Sequence, residues 1–171
     1  ADGFRGPIYA TPATRAVAEL ILRDSGYLQE KDAEYANRKG YTKHKPARPL
    51  YGVKDAERAL EAFVEVDFHA TTTVLGDAAL TYRRAGHILG AATASIDWGG
   101  RKVVFSGDLG RYGDEVMVDP EPVEEADHIV IESTYGNRSH DQTDPAEALA
   151  ALISRTAARG GTVVIPAFAV G

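Results

Sequence analysis

Residues 86–111 read Gly86-His87-Ile88-Leu89-Gly90-Ala91-Ala92-Thr93-Ala94-Ser95-Ile96-Asp97-Trp98-Gly99-Gly100-Arg101-Lys102-Val103-Val104-Phe105-Ser106-Gly107-Asp108-Leu109-Gly110-Arg111. Residues 93–97 alternate as a strand, Trp98-Gly99-Gly100 form a turn and residues 101–105 return, so the stretch predicts a β-hairpin. In a hairpin the start of the first strand and the end of the second share one edge. His87, just before the hairpin, and Asp108, just after it, are therefore expected to project from that edge and to be able to share one ion. The glycines beside them let the backbone approach closely. Neutral imidazole suits zinc, and a carboxylate has two oxygens with which to bridge two cations. The competing reading is a surface hairpin in which Gly-His and Gly-Asp are ordinary turn residues. Either residue alone favours that reading; the two at one edge favour metal.

The whole chain sets the frame for that site. Its 171 residues suit one ordinary domain with a substantial core. A net charge of −6 argues against a surface that grips nucleic acid everywhere, and leaves room for a local basic groove. With no cysteine, any metal must be held by His and carboxylate. No apolar run approaches the ~18 residues that span a bilayer, and the first residues lack a charged-then-apolar signal pattern. A soluble, cytoplasmic protein without a membrane partner is expected.

Upstream of the hairpin, residues 7–10 read as a short buried strand. Thr11 reads as an N-cap with Pro12 at the first helical position, and a helix follows over 12–23 with Gly26 as its stop. Residues 27–51 look irregular and polar. Within them Arg38, Lys39, Lys43, Lys45 and Arg48, with His44, form a run of positive charge that is either a phosphate-contacting rim or a solvated loop. A second helix is expected over 54–63, His69 reads as structural, and residues 74–83 suggest a hairpin around Gly76-Asp77.

Downstream, Pro120 and Pro122 keep residues 112–125 irregular. Residues 128–131 form an apolar run of the buried-strand type that ends in Glu132. Asp144-Pro145 starts a helix that stops at Gly160-Gly161, and residues 162–166 read as a second buried strand, completing a right-handed βαβ unit. Ligands in open α/β sheets collect beyond the carboxyl ends of strands. Glu132 lies there, and so does Asp108 if residues 103–105 join the same sheet. His87, Asp108 and Glu132 are thus expected to converge on one rim, although a lone Glu at a strand end is more often a cap or an ion-pair partner.

These segments resemble a known family. Gly86-His87-Ile88-Leu89-Gly90-Ala91-Ala92, Phe105-Ser106-Gly107-Asp108-Leu109-Gly110-Arg111, Glu132-Ser133-Thr134-Tyr135-Gly136 and Ile165-Pro166-Ala167-Phe168-Ala169-Val170-Gly171 look like the metallo-β-lactamase superfamily, and more narrowly its β-CASP branch of RNA-processing nucleases. The first two segments indicate the superfamily; the last two point to the branch. The resemblance implies an α/β fold, part of a metallo-β-lactamase αββα sandwich over 1–136 that runs into the start of a β-CASP α/β domain over 137–171.

Carried over position by position, His87 resembles a zinc ligand, Asp108 an aspartate bridging two zincs, and Glu132 the acidic residue that orients a later histidine. The reaction implied is hydrolysis of phosphodiester bonds in single-stranded RNA, with two zinc ions in the complete site. The family's His-x-His-x-Asp-His motif is nowhere in this chain, and the two later histidines are absent as well. The chain therefore looks like an internal piece of a longer protein, with an incomplete zinc site and no activity by itself. Two other readings remain open: a hydrolase of small esters, thioesters or lactams with the same fold, and a non-catalytic RNA-processing homologue. Homo-oligomerisation is compatible with all three.

Overall fold

The computed structural model describes residues 3–123, 125–139, 143–168 and 170. The chain divides into two compact units, Ala1–Ile131 and Glu132–Gly171.

The first unit opens with β1 (Ile8–Ala10), followed by the 28-residue helix α1 (Pro12–Lys39). Thr11 caps it, its Oγ1 accepting the Thr14 N–H at 3.2 Å, as the sequence predicts. The helix does not stop at Gly26. It runs through residues rich in Leu, Gln, Glu, Lys and Ala, all strong helix formers, and ends at Gly40, which is left-handed at φ 68° with its N–H on Ala36 O at 2.8 Å. Gly26 serves packing instead. A β-carbon there would lie 2.9 Å from Gly52 C and Val53 N, so its absence lets α2 (Val53–Leu60) start against the middle of α1. Glu30 on α1 then accepts the Val53 N–H at 3.0 Å, and Asp55 accepts the Gly52 N–H at 3.0 Å, satisfying donors that a helix start leaves open. The expected second helix is shorter than its apolar spacing suggests. Phe63 leaves it to begin β2 (Phe63–Glu65), pairing in parallel with β1 at Ile8↔Phe63.

A five-stranded sheet makes up the rest of this unit, in the order β3 (Thr71–Leu75), β4 (Ala78–Arg84), β5 (Ala92–Trp98), β6 (Arg101–Phe105), β7 (His128–Val130). Both predicted hairpins form. In β5–β6 the register pairs Trp98 with Arg101, leaving Gly99 and Gly100 at φ 57° and 73°, the mirror-image turn that closes two-residue hairpins. β7 joins β6 in parallel, Phe105 opposite Val130. Val104 at the centre is 1% exposed. Tyr82 on β4 ties this sheet to the smaller one, its hydroxyl donating to Tyr9 O at 2.9 Å.

β7 departs from the expected buried strand, since Ile129, Val130 and Ile131 are all exposed. In the second unit, Asp144 caps α3 (Pro145–Ala158), accepting the Ala146 N–H at 2.7 Å. Residues 162–166 form no strand, so the predicted βαβ crossover is absent among the described residues. A strand exists only through ladder hydrogen bonds to a neighbour, and an apolar, β-branched run supplies the propensity without supplying the partner. Val164 and Ile165 stand exposed.

Candidate metal centre

His87 sits on a tight loop between β4 and β5 that closes on itself: the Ala85 N–H donates to Ala91 O at 3.1 Å and the Ala91 N–H to Ile88 O at 2.9 Å. Both threonines at the start of α1 hold the loop, Thr11 Oγ1 and Thr14 Oγ1 each donating to Gly90 O at 2.8 Å. The Asp108 loop is stitched to the back of this one. Gly110 donates its N–H to Ala85 O at 2.8 Å and lies so close to Gly86 that a β-carbon would overlap the Gly86 carbonyl. Gly86 itself has φ 67°, and a β-carbon on it would run into the Val118 carbonyl and lie 2.9 Å from Pro120 N.

The stitching places His87 Nε2 3.9 Å from Asp108 Oδ2. That is beyond hydrogen-bond range. It is within the reach of one cation, because two zinc–ligand bonds of about 2.0–2.2 Å together span it. Both side chains line a cleft of about 570 Å³ walled by Val17, Ile21 and Leu22 of α1, by Phe63 and by Ile88. Both groups stand at the open mouth of that cleft, the His87 side chain 45% and the Asp108 side chain 72% exposed, so solvent screens their charges. The donor types fit a zinc or similar cation and their number does not: no group of three or more His, Asp or Glu able to hold a metal occurs among the described residues.

Glu132 opens the second unit, two residues beyond the end of β7. Its Oε2 accepts the Thr134 N–H at 3.0 Å, and the Gly136 N–H donates to Ser133 O at 3.1 Å, so residues 132–136 form a local turn around the carboxylate. Within the first unit, Asp108 follows the carboxyl end of β6, whose parallel neighbour is β7.

His69 lies away from the cleft lining. Its Nε2 is 3.3 Å from Glu121 Oε1, which also takes Arg84 Nη1 at 2.8 Å, and the Arg84 guanidinium lies 4.8 Å from the Phe68 ring. This cluster pins the loop after Asp108 to β4, and the Glu121 N–H adds a bond to Arg84 O at 2.9 Å. The supporting roles of Thr11, Thr14 and Glu121 went unread in the sequence, because each depends on a contact far along the chain. The basic run is also redistributed: Arg38 and Lys39 form the last turn of α1, where positive charge complements the helix dipole, rather than belonging to a loop.

A family model described as the metallo-beta-lactamase superfamily matches residues 17–164. The chain belongs to that superfamily, whose members are metal-dependent. It is 32% identical over 99% of its length to Ribonuclease TTHA0252 of Thermus thermophilus. It is 31% identical over 98% to Endoribonuclease YSH1 of Eremothecium gossypii, and 30% identical over 98% to Cleavage and polyadenylation specificity factor 73 of Drosophila melanogaster. These relatives support the superfamily's β-CASP branch of RNA-processing nucleases. The chain spans 35% of the Thermus protein, 21% of the Eremothecium protein and 23% of the Drosophila protein.

Proposed function

We propose that this chain forms part of a longer zinc-dependent ribonuclease that hydrolyses phosphodiester bonds of single-stranded RNA. His87 and Asp108 would be two of its metal ligands, with Asp108 bridging. The supporting observation is the 3.9 Å approach of His87 Nε2 to Asp108 Oδ2 at the mouth of an apolar cleft. A bound zinc pair supplies polarisation of the scissile phosphate and a hydroxide nucleophile near neutral pH. The protein's own contribution is positional. The Gly86–Gly110 seam fixes the distance between the two ligand loops, Thr11 and Thr14 fix the His87 loop against α1, and the α1 wall keeps bulk water off one side. Glu132, at the start of the second unit, is assigned to orient a histidine supplied by another part of the protein. A metallo-β-lactamase domain over 1–136 and the start of a β-CASP domain over 137–171 complete the reading.

The names of the relatives favour a ribonuclease over a hydrolase of small esters and over a non-catalytic homologue. Two ligands leave a four-coordinate ion unsatisfied, so the chain alone is expected to bind zinc weakly and to cut nothing. The test uses the complete protein, comparing cleavage of single-stranded RNA with and without a chelator, and with Asp108→Ala. Loss of cleavage in both arms supports the assignment; an Asp108→Ala variant that cuts like wild type overturns it.

A further inference from the structure

A second surface with nucleic-acid chemistry lies at the far end of α1. Between Glu34 and Asp55 the sequence holds no acidic residue, while Arg38, Lys39, Lys43, Lys45, Arg48 and Lys54 are all basic, in a chain whose net charge is −6. Among the described residues, no ion pair engages Arg38, Lys39, Lys43, Lys45 or Arg48. The nearest acid along the helix, Glu34, is taken up by Lys31 at 2.8 Å.

Arg38 and Lys39 end α1, and before α2 Lys43, Lys45 and Arg48 follow on a folded loop. Asn37 brackets it, its Nδ2 donating to Ala47 O at 2.9 Å while its Oδ1 accepts the Ala47 N–H at 2.7 Å. That two-bond clamp ties the loop carrying Lys43, Lys45 and Arg48 back to the last turns of α1, the helix that carries Tyr35, and Tyr41 stands at the start of the same loop. Tyr41 is 68% exposed and Tyr35 46%, with ring centroids 6.2 Å apart and planes tilted by 55°. Arg38 lies 5.3 Å and Lys39 5.9 Å from the centre of the Tyr35 ring. Exposed aromatic faces among cations are the chemistry that holds single strands: cations take the phosphates and rings take the bases. A duplex, with its bases stacked inside, offers only the first of those contacts.

We propose that Tyr35, Tyr41, Lys43, Lys45 and Arg48 form a docking site for single-stranded RNA, separate from the metal cleft. None of the five lines that cleft. Thirteen positions of α1 separate Tyr35 from Leu22 on the cleft wall, about 20 Å at the helix rise. The site therefore engages long substrates and leaves short ones untouched. As a contact for the substrate it rests on the ribonuclease reading above, and the test separates the two.

In the complete protein with its metal chelated, binding of a labelled oligouridylate is measured by fluorescence anisotropy across a salt series. Lys43→Ala/Lys45→Ala/Arg48→Ala is expected to weaken binding about tenfold or more and to reduce the log–log salt slope by about 2. Tyr35→Ala/Tyr41→Ala is expected to weaken it about fivefold or more with the slope unchanged, and Tyr35→Phe/Tyr41→Phe to retain it. Wild-type affinity in both alanine variants overturns the proposal. A loss confined to the charge variant, or equal binding of duplex RNA, also overturns it in favour of a general polyanion surface. Because this binding assay needs no cleavage, a protein that cuts no RNA defeats the ribonuclease reading and leaves the docking result to stand or fall by itself. If it does cut, the alanine variants raise KM for long RNA and leave a short oligonucleotide unaffected.

Discussion

Gly110 and Gly86 meet backbone to backbone, with no room between them for a methyl group. This contact sets the spacing of the loops that carry His87 and Asp108. Gly110→Ala should therefore force them apart, costing about 1–3 kcal/mol of stability, the usual scale of overpacking. In the complete protein it should also lower metal occupancy. Thermal unfolding and metal content after dialysis check it; a variant with unchanged unfolding and full metal would show that the seam is not tight.

Gly26→Ala sets two effects against each other. Alanine is worth about 1 kcal/mol more than glycine inside a helix. The new β-carbon would lie 2.9 Å from backbone atoms of residues 52 and 53, which cannot swing aside as a side chain can. The clash is expected to win, leaving the variant less stable than wild type by denaturant unfolding. A net gain would mean that α2 can slide away from α1 at little cost.

Tyr82 gives a handle on alkaline stability. Burial holds its phenol above the ordinary value of 10.0. The folded state thus keeps its proton where the unfolded chain loses it, so this contribution is intact below about pH 10 and is lost as pH rises further. Tyr82→Phe should flatten that alkaline decline. It should also cost about 1 kcal/mol at neutral pH, since Tyr9 O loses the hydroxyl it accepts from. Chemical unfolding at a series of pH values measures both.

Asp55 works in the opposite direction. The Gly52 N–H, and then Arg58, hold its carboxyl below the ordinary value of 3.8. Its contribution is present above that value and disappears as pH falls through the lower folded one. Asp55→Asn should remove the part of the acid-side stability loss that comes from this cap. An acid profile identical to wild type would count against it.

Much of this architecture was legible along the chain because its causes are local. Gly99-Gly100 between two alternating runs admits one turn, Thr11-Pro12 and Asp144-Pro145 each announce a helix start, and the hairpin brings the residues flanking it to one edge whatever lies elsewhere. His87 and Asp108 could be paired for that reason alone. Gly26 misled because close packing and helix termination call for the same residue, and only the position of Gly52 distinguishes them. Residues 162–166 misled because β-propensity says nothing of whether a neighbour is present.

The sequence by itself determined the hairpin, the helix caps, the two ligand candidates and the charge run after α1, all of which follow from side-chain chemistry and from spacing over a few residues. Tertiary structure decided the 3.9 Å between His87 and Asp108, the apolar wall that α1 lends their cleft, and the Asn37–Ala47 bracket that turns a basic segment into a surface. Each of those depends on atoms brought together from distant parts of the chain, and such contacts are fixed by packing and backbone hydrogen bonding, which local propensity does not encode.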